Sequence, residues 1–168
     1  MKKPAHKGAR RLRAEPGLQY AALPYRDADG LEILLVTSRE TRRWVIPKGW
    51  PIKGRKPPAS AAREALEEAG VVGRVAKKAL GAYSYIKRLK NGAPLACTVE
   101  VFPLKVARQR KRWREQHQRT VHWFTLEEAV DAVHEPELQA LIEAFGQALA
   151  ATRRSPAPTS EAALEQIP

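Results

Sequence analysis

Cysteine is almost absent from this 168-residue chain. The single Cys97 excludes an intramolecular disulfide framework. Its setting, Ala96-Cys97-Thr98-Val99, reads as a small core residue rather than a reactive thiol. Aromatic residues are few, at 7%. No apolar run approaches the ~18 residues that a membrane span requires. The start, Met1-Lys2-Lys3-Pro4-Ala5-His6-Lys7, is basic but leads into no apolar stretch, so it does not read as a secretory signal. From these absences a cytoplasmic protein is expected. Acid is scarce relative to base, with 18 Asp+Glu against 30 Lys+Arg and a formal net charge of +12. Such a surface attracts polyanions: nucleic acid, acidic headgroups or phosphate-rich small molecules. Charge alone does not choose among them.

What is present is enough for one compact α/β domain with a real core. Residues 1–15 carry Lys2, Lys3, Lys7, Arg10, Arg11 and Arg13 with little that is apolar, and read as a disordered basic arm. The domain is expected over 16–152, followed by an Ala/Pro-rich disordered tail over 153–168. A first strand over Gly17–Pro24 is expected to break at the proline. Asp29-Gly30 predicts a hairpin turn into the buried strand Leu31–Thr37, and Asn91-Gly92 predicts a second hairpin. Trp44–Pro47 and Val121–Phe124 read as short strands, and Arg74–Leu89 and Leu95–Val106 as longer extended segments. Lys105–Arg119 reads as a basic connection without apolar periodicity. Thr125-Leu126-Glu127-Glu128 has the pattern of a capping box. Leu138, Leu141, Ile142, Phe145 and Leu149 recur at helical spacing, as on a final amphipathic helix.

The chemistry concentrates between Gly49 and Val71. Pro57 and Pro58 suit the first turn of a helix, and Gly70 suits its C-terminal cap. Between them Ala62, Ala65, Leu66 and Ala69 are expected to form an apolar stripe, with Arg63, Glu64, Glu67 and Glu68 opposite it. The glutamates stand three and four residues apart, so they share one patch and repel one another. Arg63 can pair with Glu67 at i+4. The remaining negative charge suits a hard divalent cation such as Mg²⁺, which takes carboxylate oxygens together with substrate phosphates. A solvated acidic helix face is the bland alternative. The preceding loop, Lys48-Gly49-Trp50-Pro51-Ile52-Lys53-Gly54-Arg55-Lys56, adds glycines that permit close backbone approach and cations that would face a phosphate chain.

This stretch resembles the Nudix box, written G-x5-E-x7-R-E-U-x-E-E-x-G-U with U a bulky apolar residue. Gly49, Arg63, Glu64, Glu67, Glu68, Gly70 and Val71 stand at the required spacing. Arg55 replaces the first glutamate of the box, and the small Ala65 occupies its apolar position. The resemblance implies a Nudix α/β/α sandwich, a mixed β-sheet flanked by helices. It implies Mg²⁺ or Mn²⁺ held by Glu64, Glu67 and Glu68, with the Gly49 carbonyl as a further ligand. It also implies water activation by one of these acids, most often the one at Glu64, and orientation of the glutamates by Arg63. Arg43, Lys48, Lys53, Arg55 and Lys56 are the expected substrate-binding cations. The loop and the Glu-Glu-Ala-Gly-Val ending look like the branch that hydrolyses diphosphoinositol and diadenosine polyphosphates. Trp113-Arg114-Glu115, with Arg119 and Trp123 after it, resembles that branch too, and makes Glu115 an additional candidate acid; a lone acid in a basic loop is its plain alternative. Two rival readings stand beside this one: a hydrolase of nucleoside triphosphates, and an inactive nucleic-acid-binding module favoured by the basic arm and the missing box glutamate. His6, His117, His122 and His134 show no zinc-ligand spacing.

Overall fold

A computed structural model describes residues 17–154. The proposed arm 1–15 and the tail beyond Arg154 lie outside the described residues. The elements are β1 (Leu18–Asp27), β2 (Leu31–Thr37), β3 (Trp44–Val45), β4 (Lys48–Gly49), α1 (Pro57–Ala69), β5 (Val71–Val75), β6 (Gly81–Arg88), β7 (Pro94–Gln109), β8 (Val121–Thr125), α2 (Leu126–Ala132) and α3 (Pro136–Arg154). The eight strands form one mixed sheet with the path β3-β2-β1-β7-β5, in which β4 pairs with β1, β6 with β7 and β8 with β2. β1 and β7 run parallel, and every other pair is antiparallel.

Both hairpins form where the Asp-Gly and Asn-Gly signals place them. The expected break at Pro24 does not occur. β1 continues to Asp27, and the proline falls where its antiparallel partner changes from β4 to β2, so no registered antiparallel pair needs its missing N–H. β7 also outruns its expected end. Lys105–Gln109 pair with β5 across a bulge instead of opening the basic connection. Arg153 and Arg154, assigned to the tail from sequence, complete the last turn of α3, where cations complement the helix dipole.

The sheet carries a separate core on each face. On one, Leu23, Ile33, Leu35, Tyr83 and Val101 pack with Ala129, Val133, Leu138, Ile142 and Phe145 of the α2–α3 region. On the other, Ala22, Leu34, Val36, Phe102 and Leu104 pack against α1 through Ala61, Ala65 and Ala69, all fully buried. The buried line of α1 is therefore Ala61-Ala65-Ala69, one residue round from the expected Ala62–Leu66 edge. Ala62 and Leu66 are only half-buried, whereas Glu68 turns inward at 5% exposure.

Candidate functional site

α1 begins with Pro57 and Pro58 in its first turn, and no side chain caps it. It ends at Gly70, whose φ of 69° places it in the left-handed region, with its N–H donated to the Leu66 carbonyl. The last carbonyls of a helix ordinarily lack partners within it. Here the strand end and loop after β7 supply them. The Gln109 side chain donates to the Ala69 carbonyl at 3.1 Å, Arg110 N–H to Gly70 at 2.8 Å, Trp113 Nε1 to Glu68 at 3.2 Å and Glu115 N–H to Glu67 at 3.0 Å. The Trp113 ring lies so close over Gly70 that a Cβ there would overlap it. The basic connection is thus latched to the C-terminal end of α1.

That latch brings Glu115 and Arg119 beside the α1 glutamates. Arg119 is 9% exposed at its side chain. It donates to Glu68 Oε1 at 3.1 Å and to the Thr37 carbonyl at 3.1 Å, and stands 3.6 Å from Glu115 Oε1, while its Nε is buried without a partner. Arg39 approaches Glu115 at 3.2 Å from the opposite loop. Glu67 accepts from Arg63 Nε at 2.8 Å, the i+4 pair expected from spacing, and from Arg114 at 3.4 Å. Glu64 lies against the backbone of β4: a side chain at Gly49 would run into its carboxylate. Lys48, beside it, sets its ammonium 5.0 Å from the Tyr85 ring centroid.

Together these groups line a cavity of about 630 Å³, with Glu64, Glu67, Glu68 and Glu115 among its acids and Arg39, Lys48, Lys87, Arg114 and Arg119 among its bases. Burial lifts the Glu64 carboxyl to about 6, with Glu67 adding to the effect. Burial lifts Glu68 to about 8 against the opposing pull of Arg119 and Lys48. Desolvation also lowers the pKa of Lys48.

Sequence reasoning and structure diverge in the loop. Lys48 and Gly49 reach the cavity, but Arg43, Lys53, Arg55 and Lys56 do not line it. A turn closed by Arg55 N–H on the Ile52 carbonyl leaves Lys53, Arg55 and Lys56 exposed on its outside. The substitution at the first box glutamate therefore places no cation in the cavity. Arg119 is the buried cation that spacing did not single out. The sequence named it only as following the Trp113-Arg114-Glu115 resemblance and gave it no role at the glutamates.

All the acids here offer oxygen, the donor that Mg²⁺ or Mn²⁺ prefers. Two of them are held protonated more readily than ordinary carboxylates, which an added cation would relieve. Among the described residues no group of three or more His, Cys, Asp or Glu side chains is arranged to hold a metal ion as it stands. The set fits a cation that shares its coordination with substrate phosphates and water.

The NUDIX domain profile matches residues 16–145. Nudix hydrolase 16, mitochondrial, from Arabidopsis thaliana is 31% identical over 158 residues, covering 84% of this chain and 87% of that protein. Diphosphoinositol polyphosphate phosphohydrolase 3-alpha from Mus musculus is 31% identical over 121 residues, covering 69% of this chain and 70% of that protein. A C. elegans Ap4A hydrolase binary complex superimposes with a TM-score of 0.60 at 22% identity, over 80% of this chain and 98% of that one, a likeness of fold. The expectation of a cytoplasmic protein is overturned, because Nudix hydrolase 16 and four further Arabidopsis relatives are named mitochondrial. Lack of a recognisable secretory signal does not separate the cytoplasm from an organelle. No helix among the described residues is long and apolar enough to cross a membrane.

Proposed function

The chain belongs to the Nudix hydrolase family, and from that premise we propose that it hydrolyses phosphoanhydride bonds in highly phosphorylated small molecules, either diphosphoinositol polyphosphates or diadenosine polyphosphates. The observation that carries this reading is the two-signed cavity. Acids of α1 line it together with cations from β4, β6 and the loops before β3 and β8, and Arg114 and Arg119 reach Glu67 and Glu68 directly. A phosphate chain needs cations along its length and an acid near the phosphorus under attack. The mouse relative's name supports the substrate class.

Glu64, Glu67 and Glu68 would hold Mg²⁺ or Mn²⁺, with the Gly49 carbonyl as a further ligand and Glu115 as a neighbouring acid. When bound, the cation would neutralise phosphate charge, polarise phosphoryl oxygens and favour ionisation of water. The protein's own contributions are positional. Gly49 lets the Glu64 carboxylate lie against β4, where it is the group we assign to accept a proton from water. Arg63 and Arg114 fix the Glu67 carboxylate from two directions. Arg119 stands between Glu68 and Glu115, and Arg39 reaches Glu115 from the other side. Lys48, Lys87 and Arg39, which line the cavity, would take the charge of the phosphate chain. The domain proposed to do this spans 16–152.

The test is a hydrolysis panel with Mg²⁺: diphosphoinositol polyphosphates, diadenosine tetra- to hexaphosphates, nucleoside triphosphates and ADP-ribose. Glu64→Gln should lower kcat/KM about 100-fold or more, with an unchanged circular-dichroism spectrum. Turnover confined to nucleoside triphosphates would move the substrate class. No turnover of any anhydride, with tight salt-dependent RNA binding, would replace the enzyme by the nucleic-acid-binding module.

A further inference from the structure

Three of the four tryptophans have identifiable partners. Trp44 packs edge-on against Phe124, with ring centroids 4.9 Å apart. Trp113 donates to the Glu68 carbonyl and covers Gly70. Trp123 carries the Arg26 guanidinium 4.1 Å above its ring. Trp50 has no hydrogen bond, aromatic pair or stacked cation among the described residues, and it is 44% exposed. It nonetheless stands in the wall of the cavity, in an apolar strip with Pro51 and Ile52.

The backbone holds Trp50 from both sides. Gly49, immediately before it, is registered against Tyr20 of β1. Two residues after it, the Ile52 N–H reaches the fully buried Ser60 hydroxyl of α1 at 3.3 Å, and the Ile52 carbonyl accepts from Arg55. The indole is therefore presented by an anchored loop, so little ordering entropy is lost when a planar ligand covers it. The remainder of the cavity is polar and two-signed, suited to phosphates. Its volume of about 630 Å³ leaves room for a further group beside the phosphate chain.

Resting on the phosphoanhydride reading, we infer that Trp50 is a stacking platform for a nucleobase, so that the substrate is a nucleoside polyphosphate rather than a base-free one. A π-face accepts any base, and such stacking contributes about 1–3 kcal/mol per base. Trp50 thus sets selectivity and touches no reacting atom.

The experiment compares diadenosine tetraphosphate with inorganic tripolyphosphate in wild type, Trp50→Ala and Trp50→Phe. Trp50→Ala should raise KM for the dinucleotide about tenfold, with a smaller change in kcat. The preference for the base-bearing compound, as a ratio of kcat/KM values, should fall by a similar factor. Trp50→Phe should recover part of it. An equal effect on both compounds, or none on either, overturns the inference. A second arm needs no turnover: ADP should quench tryptophan emission of the wild type, pyrophosphate should not, and Trp50→Phe should lose the quench. If the wild type hydrolyses neither compound but the ADP quench depends on Trp50, the proposed activity fails and the base platform stands. If hydrolysis proceeds without that quench, the platform fails and the activity stands.

Discussion

The two faces of the sheet are filled by opposite means. Against α2 and α3 the contacts come from bulky side chains, among them Leu138, Ile142 and Phe145. Against α1 they come from Ala61, Ala65 and Ala69. Large side chains bury more apolar surface and stabilise more. Small ones bury less but let the helix backbone approach the strands. On the α1 side that approach has a chemical consequence, because it sets the Glu64 carboxylate against β4 and turns Glu68 inward to Arg119. One face is packed for stability, and the other is packed for position.

The comparison can be broken with two core substitutions of opposite kind. Ile142→Ala removes a fully buried side chain from the α3 face and should cost about 3 kcal/mol of stability. Measured by urea unfolding, that loss should come with an almost unchanged kcat in the folded enzyme. Ala65→Leu overfills the α1 face and should cost less, about 2 kcal/mol. It should nevertheless lower kcat at least tenfold, because any outward shift of α1 moves Glu64 and Glu68 away from Gly49 and Arg119. If the two variants reduced kcat in the same proportion to their loss of stability, the division between the faces would be wrong.

How much of this was legible in the chain follows the distance over which each feature is determined. The α1 unit is local. Prolines at its start, Gly70 at its end and the Arg63–Glu67 pair are fixed within one helix, and each appears as its spacing predicts. The turn of the helix was less legible. A four-residue apolar stripe and its neighbour Ala61-Ala65-Ala69 differ by one position, and in an alanine-rich helix hydrophobicity hardly distinguishes them. Glu68 went inward because a cation waited there, 51 residues later in the chain. Arg119 was named only as a neighbour of the Trp113-Arg114-Glu115 resemblance, and nothing local gave it a partner, since the loop that delivers it is placed by bonds from Gln109, Trp113 and two backbone N–H groups to carbonyls at the end of a distant helix. Arg55 shows the converse. The motif drew attention to it, but the turn closed on Ile52 leaves it exposed outside the cavity.

The smallest expected effect sharpens the same comparison. Thr125 closes the start of α2 with a full capping box: its Oγ1 accepts from the Glu128 N–H at 3.3 Å, and its own N–H donates to Glu128 Oε2 at 3.0 Å. Thr125→Ala removes one of these bonds and should lower stability by about 1 kcal/mol. α2 packs on the face away from α1, and Thr125 lies outside the cavity lining. The variant should therefore show a lower midpoint in urea with kcat and KM for the best substrate unchanged. A change in kcat from so small and so distant a loss would mean that the position of α1 depends on the far side of the sheet. The stabilising and positioning faces would then be coupled through the strands between them.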